Sequence, residues 1–256
     1  HFRRRLAKIW GMSLAAAAMT FALSATSAEA AAIHVGGGCT LVDAITSANT
    51  DAATGACTAG SGSDTIVLGG GTYTYTTVNN STGGENALPA VTTVITIEGN
   101  GATIERDTSV MPTFRLLYVD GAGNLTLRDS IVQGGVADDA GFGYYGGGIR
   151  TSGTLNLERV TIQGNSARRG GGVALTFGAA TLTTSRSTIE NNTASALGGG
   201  VLNRDGVVRV VEGTIRGNSA GIEGGGISNS NGSLTVDRST VSGNRSASQC
   251  GGITNA

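Results

Sequence analysis

Proline is almost absent from these 256 residues: there are 2, against 43 glycines. Aromatic residues make up 4% of the chain and charged ones 14%, where ordinary globular chains carry about 25% charged residues. Without a strict Gly-X-Y period the glycines do not describe collagen, and 39% apolar content excludes a disordered linker. Glycine costs about 1 kcal/mol relative to alanine inside a helix, so a helical bundle is excluded as well. What remains is a β-rich chain with many tight turns.

Lysine is scarcer still, with Lys8 the only one, and no excess of positive charge exists to meet a phosphate backbone. Formal net charge is -1. Arg3, Arg4, Arg5 and Lys8 precede an apolar stretch of twelve residues, Met12 to Leu23, and the small-x-small site Ala28-Glu29-Ala30. This arrangement reads as a signal peptide over residues 1–30. Twelve apolar residues fall short of the roughly 20 that span a bilayer, so no membrane span is expected in the mature chain. Removing the leader leaves 13 basic against 17 acidic residues and a net charge of -4. Nucleic acid is therefore excluded as a partner. A first residue other than Met and a stop in mid-pattern at Ala256 read as a fragment cut at both ends, with the repeats truncated at the C-terminus.

The three cysteines fit an exported chain. Cys39 and Cys57 flank a helix-like stretch and a Gly/Ala-rich loop, and a disulfide between them is expected. Closing a loop of that length stabilises by about 3 kcal/mol. Cys250 is left without a partner in the sequence. The cysteines are too scattered for a structural metal site.

Repetition decides the architecture. The phrase Gly146-Gly147-Gly148-Ile149 returns at Gly170, Gly198 and Gly224, and shortened at Gly251. Between these, LNLERVTIQGN from Leu155 matches LTTSRSTIENN from Leu182, VRVVEGTIRGN from Val208 and LTVDRSTVSGN from Leu234. With Ile66, Ile95 and Leu125 as earlier anchors the separations run 29, 30, 30, 27, 26 and 26, which defines seven units. Units of that size with short alternating runs are too short for propeller blades and lack the leucine density of leucine-rich repeats. A parallel β-solenoid over residues 64–256 is the remaining solution. Ile149, Leu155, Leu157 and Ile162 then point inward, and Asn165, Asn192, Asn218 and Asn244 form a structural ladder of stacked amides at one corner. The glycine triplets permit positive φ at another corner and close backbone approach.

Gly38-Cys39-Thr40-Leu41-Val42-Asp43-Ala44-Ile45, followed by Ala48-Asn49, resembles the CSLREA segment at the N-terminus of many exported bacterial β-helix proteins. Cys39, Leu41 and Ala44 match it, Thr40 and Asp43 replace Ser and Glu, and Val42 stands where that segment has Arg. Thr40 as N-cap with Asp43 three residues on predicts a short helix, within an N-terminal cap over residues 31–63. From Asp64 the runs DTIVLGGGTYTY, ITIEGNGATIERD and the GGGI and TIxGN phrases are similar to the repeats of polymorphic outer-membrane proteins. The resemblance implies a right-handed parallel β-helix of the pectate-lyase-like kind, and adhesion or display at a bacterial surface or outer membrane, or secretion.

That fold also hosts polysaccharide lyases and glycoside hydrolases, so chemistry must be sought in a site. The column Asp129, Arg159, Arg186, Glu212, Arg238 reads as an outward row of mixed charge. Asp138 and Asp139 are the best acidic pair, in a long loop that also carries Phe142, Tyr144 and Tyr145; these acids and tyrosines are the candidate ligand contacts. The expected role is a non-catalytic module binding an extracellular glycan or surface protein, with no cofactor. The alternative is cleavage of an acidic polysaccharide at the Asp138 and Asp139 loop, in which case Ca²⁺ joins the site.

Overall fold

The computed structural model describes residues 30–138, 144–177 and 179–256. It is a parallel β-helix of about seven turns with one short helix. Each regular coil lays down the same elements in order. Thr154–Glu158 and Thr161–Gln163 join a broad sheet, Ser166–Arg169 joins a narrow one, and Val173–Thr176 joins a third before the next coil begins at Thr181. Every ladder between named strands is parallel among the described residues, as in Thr154↔Thr181↔Val207↔Ser233. Handing each strand to its counterpart one coil along, about 4.8 Å away, satisfies backbone groups that such short strands could not satisfy alone.

Three apolar columns fill the interior. Leu125, Leu155, Leu182, Val208 and Leu234 are in register, as are Val132, Ile162, Ile189, Ile215 and Val241. Leu117, Ile149, Val173, Val201, Ile227 and Ile253 line the third wall. Each fully buried member stabilises by about 1.5–3 kcal/mol. Leu234, Val241 and Ile253, with a stacked neighbour on one side, are only partly buried.

Corners between strands are single left-handed residues. Asp129, Arg159, Arg186, Glu212 and Arg238, with φ of 44–55°, bend the chain within the broad sheet. Their side chains project outward, and two ion pairs bridge the column: Arg159 Nε to Asp129 Oδ1 at 2.6 Å and Arg238 to Glu212 at 3.4 Å. The first glycine of each triplet, Gly146, Gly170, Gly198 or Gly224, also has positive φ. The second is required for a different reason: a Cβ on Gly199 would lie 2.4 Å from the carbonyl oxygens of Gly225 and Ser219.

At the N-terminal end the helix Leu41–Thr50 lies over the strands Ala32–His34 and Asp64–Val67, burying Leu41, Ala44, Ile45 and Ala48. Thr40 caps it, its Oγ1 accepting from the Asp43 backbone N–H at 3.1 Å and donating to Asp43 Oδ2 at 2.8 Å. Cys39 and Cys57 form a disulfide with a Cα–Cα separation of 4.6 Å, and Cys250 is a free, exposed thiol. Among the described residues no helix is long and apolar enough to cross a membrane. The leader expected over residues 1–30 lies, except for Ala30, outside the described residues.

Candidate functional site

On the broad sheet several charged side chains pair with each other across coils. Arg128 donates to Glu98 at 2.6 Å and to Glu158 at 2.9 Å, one coil to either side, and Arg216 donates to Glu190 at 2.6 Å. A groove of about 470 Å³ at one end of this face holds Glu105 and Asp107. Glu105 accepts from Thr74 Oγ1 at 2.9 Å and from Gln133 Nε2 at 2.7 Å. Hydrogen bonds from Ser109 hold the Asp107 carboxyl below the usual carboxylate range. Both acids are thus engaged as hydrogen-bond acceptors within the chain.

The third sheet is different, because part of its outward side is covered. Ala174 and Leu202 face outward yet are buried, with Tyr145 packed on them and Tyr144 and Leu197 alongside. Tyr145 is held there through its backbone: fully buried Arg115 donates to the Tyr145 carbonyl from Nε at 3.0 Å and from Nη2 at 2.7 Å. The same guanidinium reaches Asn86 Oδ1 at 2.8 Å, tying the loop around Gly83 to the same face.

Four more arginines gather around these rings. Arg150, 2% exposed, lies over Tyr118 at 5.2 Å, Tyr145 at 5.8 Å and Phe177 at 5.9 Å from guanidinium carbon to ring centre. It donates to Thr176 Oγ1 at 3.0 Å and to the Gly83 carbonyl. Arg168 sits over Tyr144 at 5.4 Å, and Arg169 lies 5.8 Å from Tyr144 and 6.0 Å from Tyr145. Arg169 Nη1 and Arg204 Nη1 both donate to the Tyr145 hydroxyl, at 3.3 and 3.1 Å.

This crowding shows in the titration of the groups. Burial works to raise the Tyr145 hydroxyl, but hydrogen bonds from Tyr144, Arg169 and Arg204, with the charge on Arg169, outweigh it and hold Tyr145 below the usual phenol range. Tyr144, which donates to Tyr145, is raised. Burial lowers Arg150. Beside the cluster opens a cavity of about 230 Å³ lined by Tyr145, Thr176, Phe177, Arg204 and Asp205.

The structure therefore brings Tyr144 and Tyr145 together, with ring centres 4.4 Å apart. Asp138 is exposed and engaged elsewhere, accepting from Thr113 Oγ1 at 2.6 Å. Asp139 and Phe142 lie outside the described residues. Asn165, Asn192, Asn218 and Asn244 form a hydrogen-bonded column at the corner before the narrow sheet, Asn192 to Asn218 spanning 3.0 Å and Asn218 to Asn244 2.9 Å. They shape the coil and stand apart from the cavity lining.

No known protein family, curated protein or solved structure matches the chain. The site must be read from its own residues. The sequence pattern does not single out Arg150, Arg169 and Arg204, because they fall at different places in successive coils. Phe177 alone left a trace there, as an aromatic in Thr-Phe-Gly where the next coils have Arg-Asp-Gly and Ser-Asn-Gly.

Proposed function

We propose that this chain is an exported β-helix module for display or adhesion at a bacterial surface, binding glycan or protein without cleaving it. The observation that carries the reading is how charge is arranged. Glu98, Glu158 and Glu190 on the broad sheet are taken up by arginines of adjoining coils, whereas four guanidinium groups and three tyrosines gather around the outer side of the third sheet beside a cavity. Tyrosine and arginine are the residues that dominate binding hot spots, and a rigid stack of coils holds them in place without further ordering on binding.

Incubation with acidic polysaccharides and Ca²⁺, followed by unsaturated-product absorbance and by reducing ends, tests this. We expect no turnover, together with retention of the protein on bacterial cells or isolated cell-surface material. Turnover that disappears in an Asp138→Ala, Asp139→Ala variant would establish the lyase or hydrolase alternative instead.

A further inference from the structure

One strand of the first coil keeps an open edge. The long strand Val94–Arg106 pairs on one side with both Asp64–Val67 and Thr72–Tyr75. Asp64–Val67 is covered in turn by Ala32–His34, whereas among the described residues no strand pairs with the other edge of Thr72–Tyr75. The chain turns away before reaching it: Gly36, Gly37 and Gly38 have φ of 140°, 59° and 100°, and Gly36 and Cys39 close the turn with backbone hydrogen bonds of 2.9 and 3.0 Å. On the paired side the carbonyls of Gly71 and Tyr75 accept from Thr103 and Asp107 at 2.8 and 2.9 Å. In a parallel ladder the alternate residues Thr72 and Thr74 therefore turn their N–H and C=O groups to the open edge.

Beside this edge is an apolar socket. A cavity of about 350 Å³ is walled by Val35, Leu41, Val42, Tyr73 and Tyr75, and Thr40 and Thr74 also line it. Val35, Val42, Tyr73 and Tyr75 pack against the core yet stay only partly buried. Each of the two threonines donates to a carboxylate, Thr40 to Asp43 at 2.8 Å and Thr74 to Glu105 at 2.9 Å. Among the described residues no basic side chain lines the cavity, so the charge beside it is negative. A whole solenoid coil does not fit here. It would have to pair with Asp64–Val67 as well, and that edge is taken by Ala32–His34, with the cap helix above. A single extended segment meets no such obstacle.

We infer that the free edge of Thr72–Tyr75 docks one extended, basic segment of another protein, which adds to the sheet as a further strand. Main-chain hydrogen bonds to Thr72 and Thr74 supply the affinity, and an apolar side chain entering the socket supplies the choice of partner. Side chains of a strand alternate in direction, so the segment carries apolar residues at every second position. Basic residues at its ends meet Asp43 and Glu105. The slot shares no residue with the cavity beside the third sheet, so it is a second surface and does not depend on the adhesion reading.

The probe is a synthetic peptide, acetyl-Lys-Thr-Val-Thr-Val-Thr-Lys-amide, titrated into the full chain and followed by NMR and amide hydrogen exchange. Wild type is expected to bind it, with slowed exchange at the Thr72 and Thr74 amides. Two control peptides should each bind about tenfold or more weakly: one with proline at its three central positions, which removes backbone donors whichever way the strand runs, and one with glutamate for lysine. Thr74→Pro removes the N–H that faces the slot and spares the ladder to Val94–Arg106, since an edge strand tolerates proline with its nitrogen outward. Val42→Arg puts a charge into the socket, at a place where the resembled cap segment itself carries arginine. Both variants should lose about tenfold or more in affinity, with circular dichroism checking that they fold. No binding by wild type tighter than about 1 mM, equal binding of either control peptide, or full binding by both variants would each overturn the inference. Sedimentation of the chain alone covers the remaining occupant: a dimer that Thr74→Pro disperses would give the edge to a second copy and overturn it as well.

Discussion

Asn192 Oδ1 accepts two hydrogen bonds from Asn165, one from the backbone N–H and one from the side-chain amide, each at 3.0 Å. Its own Nδ2 donates to the Ile162 carbonyl at 2.9 Å and to Asn218 Oδ1 at 3.0 Å. One amide thus satisfies a buried donor in the coil before it and links to the coil after it. Asn192→Leu leaves the Asn165 N–H and the Ile162 carbonyl buried without these partners, at about 1–3 kcal/mol for each such group. We expect a loss of about 2–4 kcal/mol in urea unfolding, with faster hydrogen exchange at the Asn165 amide. A loss below about 1 kcal/mol would remove the ladder from the account of stability.

Glycines of the repeat divide by what surrounds them. Gly199→Ala places a methyl group 2.4 Å from two backbone oxygens, which can only be relieved by moving adjacent coils apart. Gly164, with φ of 60° and nothing within 4 Å of an added Cβ, stands at a corner where another coil has Asn191 at φ 53°. Gly199→Ala is expected to cost about 3 kcal/mol or more, and Gly164→Asn less than about 1 kcal/mol. Thermal unfolding of the two variants side by side measures the difference, and similar costs would show that steric approach is not what the triplets serve.

The contrast also explains how much of the fold the sequence carried. Seven in-phase units and a run such as Leu155-Asn156-Leu157 specify a parallel stack, because only one pairing buries every Leu and Ile at once. The left-handed bends at Arg159, Arg186 and Arg238 left no such mark: arginine favours no corner, and its placement there follows from the strand geometry on either side. Asn203, Asn229 and Asn255 form a second amide column inside the third sheet, linked at 2.6 and 2.5 Å. It is written in the sequence only as Asn two residues after Gly-Gly-Val or Gly-Gly-Ile in the last three coils, where the two coils before have Thr151 and Leu175. The arginine–tyrosine cluster was least legible, since Arg115, Tyr145 with Arg150, and Arg204 come from three different coils and meet only after winding.

Arg159 and Asp129 give the chain an acid-sensitive contact. Two hydrogen bonds from Arg159, at 2.6 and 2.7 Å, are the main reason the Asp129 carboxyl lies below its ordinary value of 3.8; slight burial opposes this, and the charges of Arg159 and Arg128 add to it. A carboxyl whose folded value is depressed contributes stability that is fully present above 3.8 and is lost as pH falls through the folded value. Both side chains are more than a third exposed, so the contribution is about 0.2–1 kcal/mol and weakens with salt. Asp129→Asn keeps a residue that tolerates the bend and removes the charge. It should be less stable than wild type at about pH 7, with the gap closing as pH falls below 3.8. A gap that persists in acid would assign the effect to packing.

Phe177 sets the preference of its backbone against the contact of its side chain. A left-handed corner costs an ordinary side chain about 1–2 kcal/mol, and Phe177 recovers part of this, about 0.5–1 kcal/mol, by lying against Arg150. Phe177→Asn exchanges that contact for a residue suited to the corner, with a net gain of about 0.5–1 kcal/mol. For a chain of this size that raises the melting temperature by about 1–4 °C. Phe177→Ala keeps the strain and loses the ring, so it should melt below wild type. The order Asn above Phe above Ala, read by differential scanning calorimetry, identifies Phe177 as a residue held against the preference of its own backbone. If Asn instead melts below Phe, the ring is a packing element of the third sheet, and its exposure at the cavity is incidental.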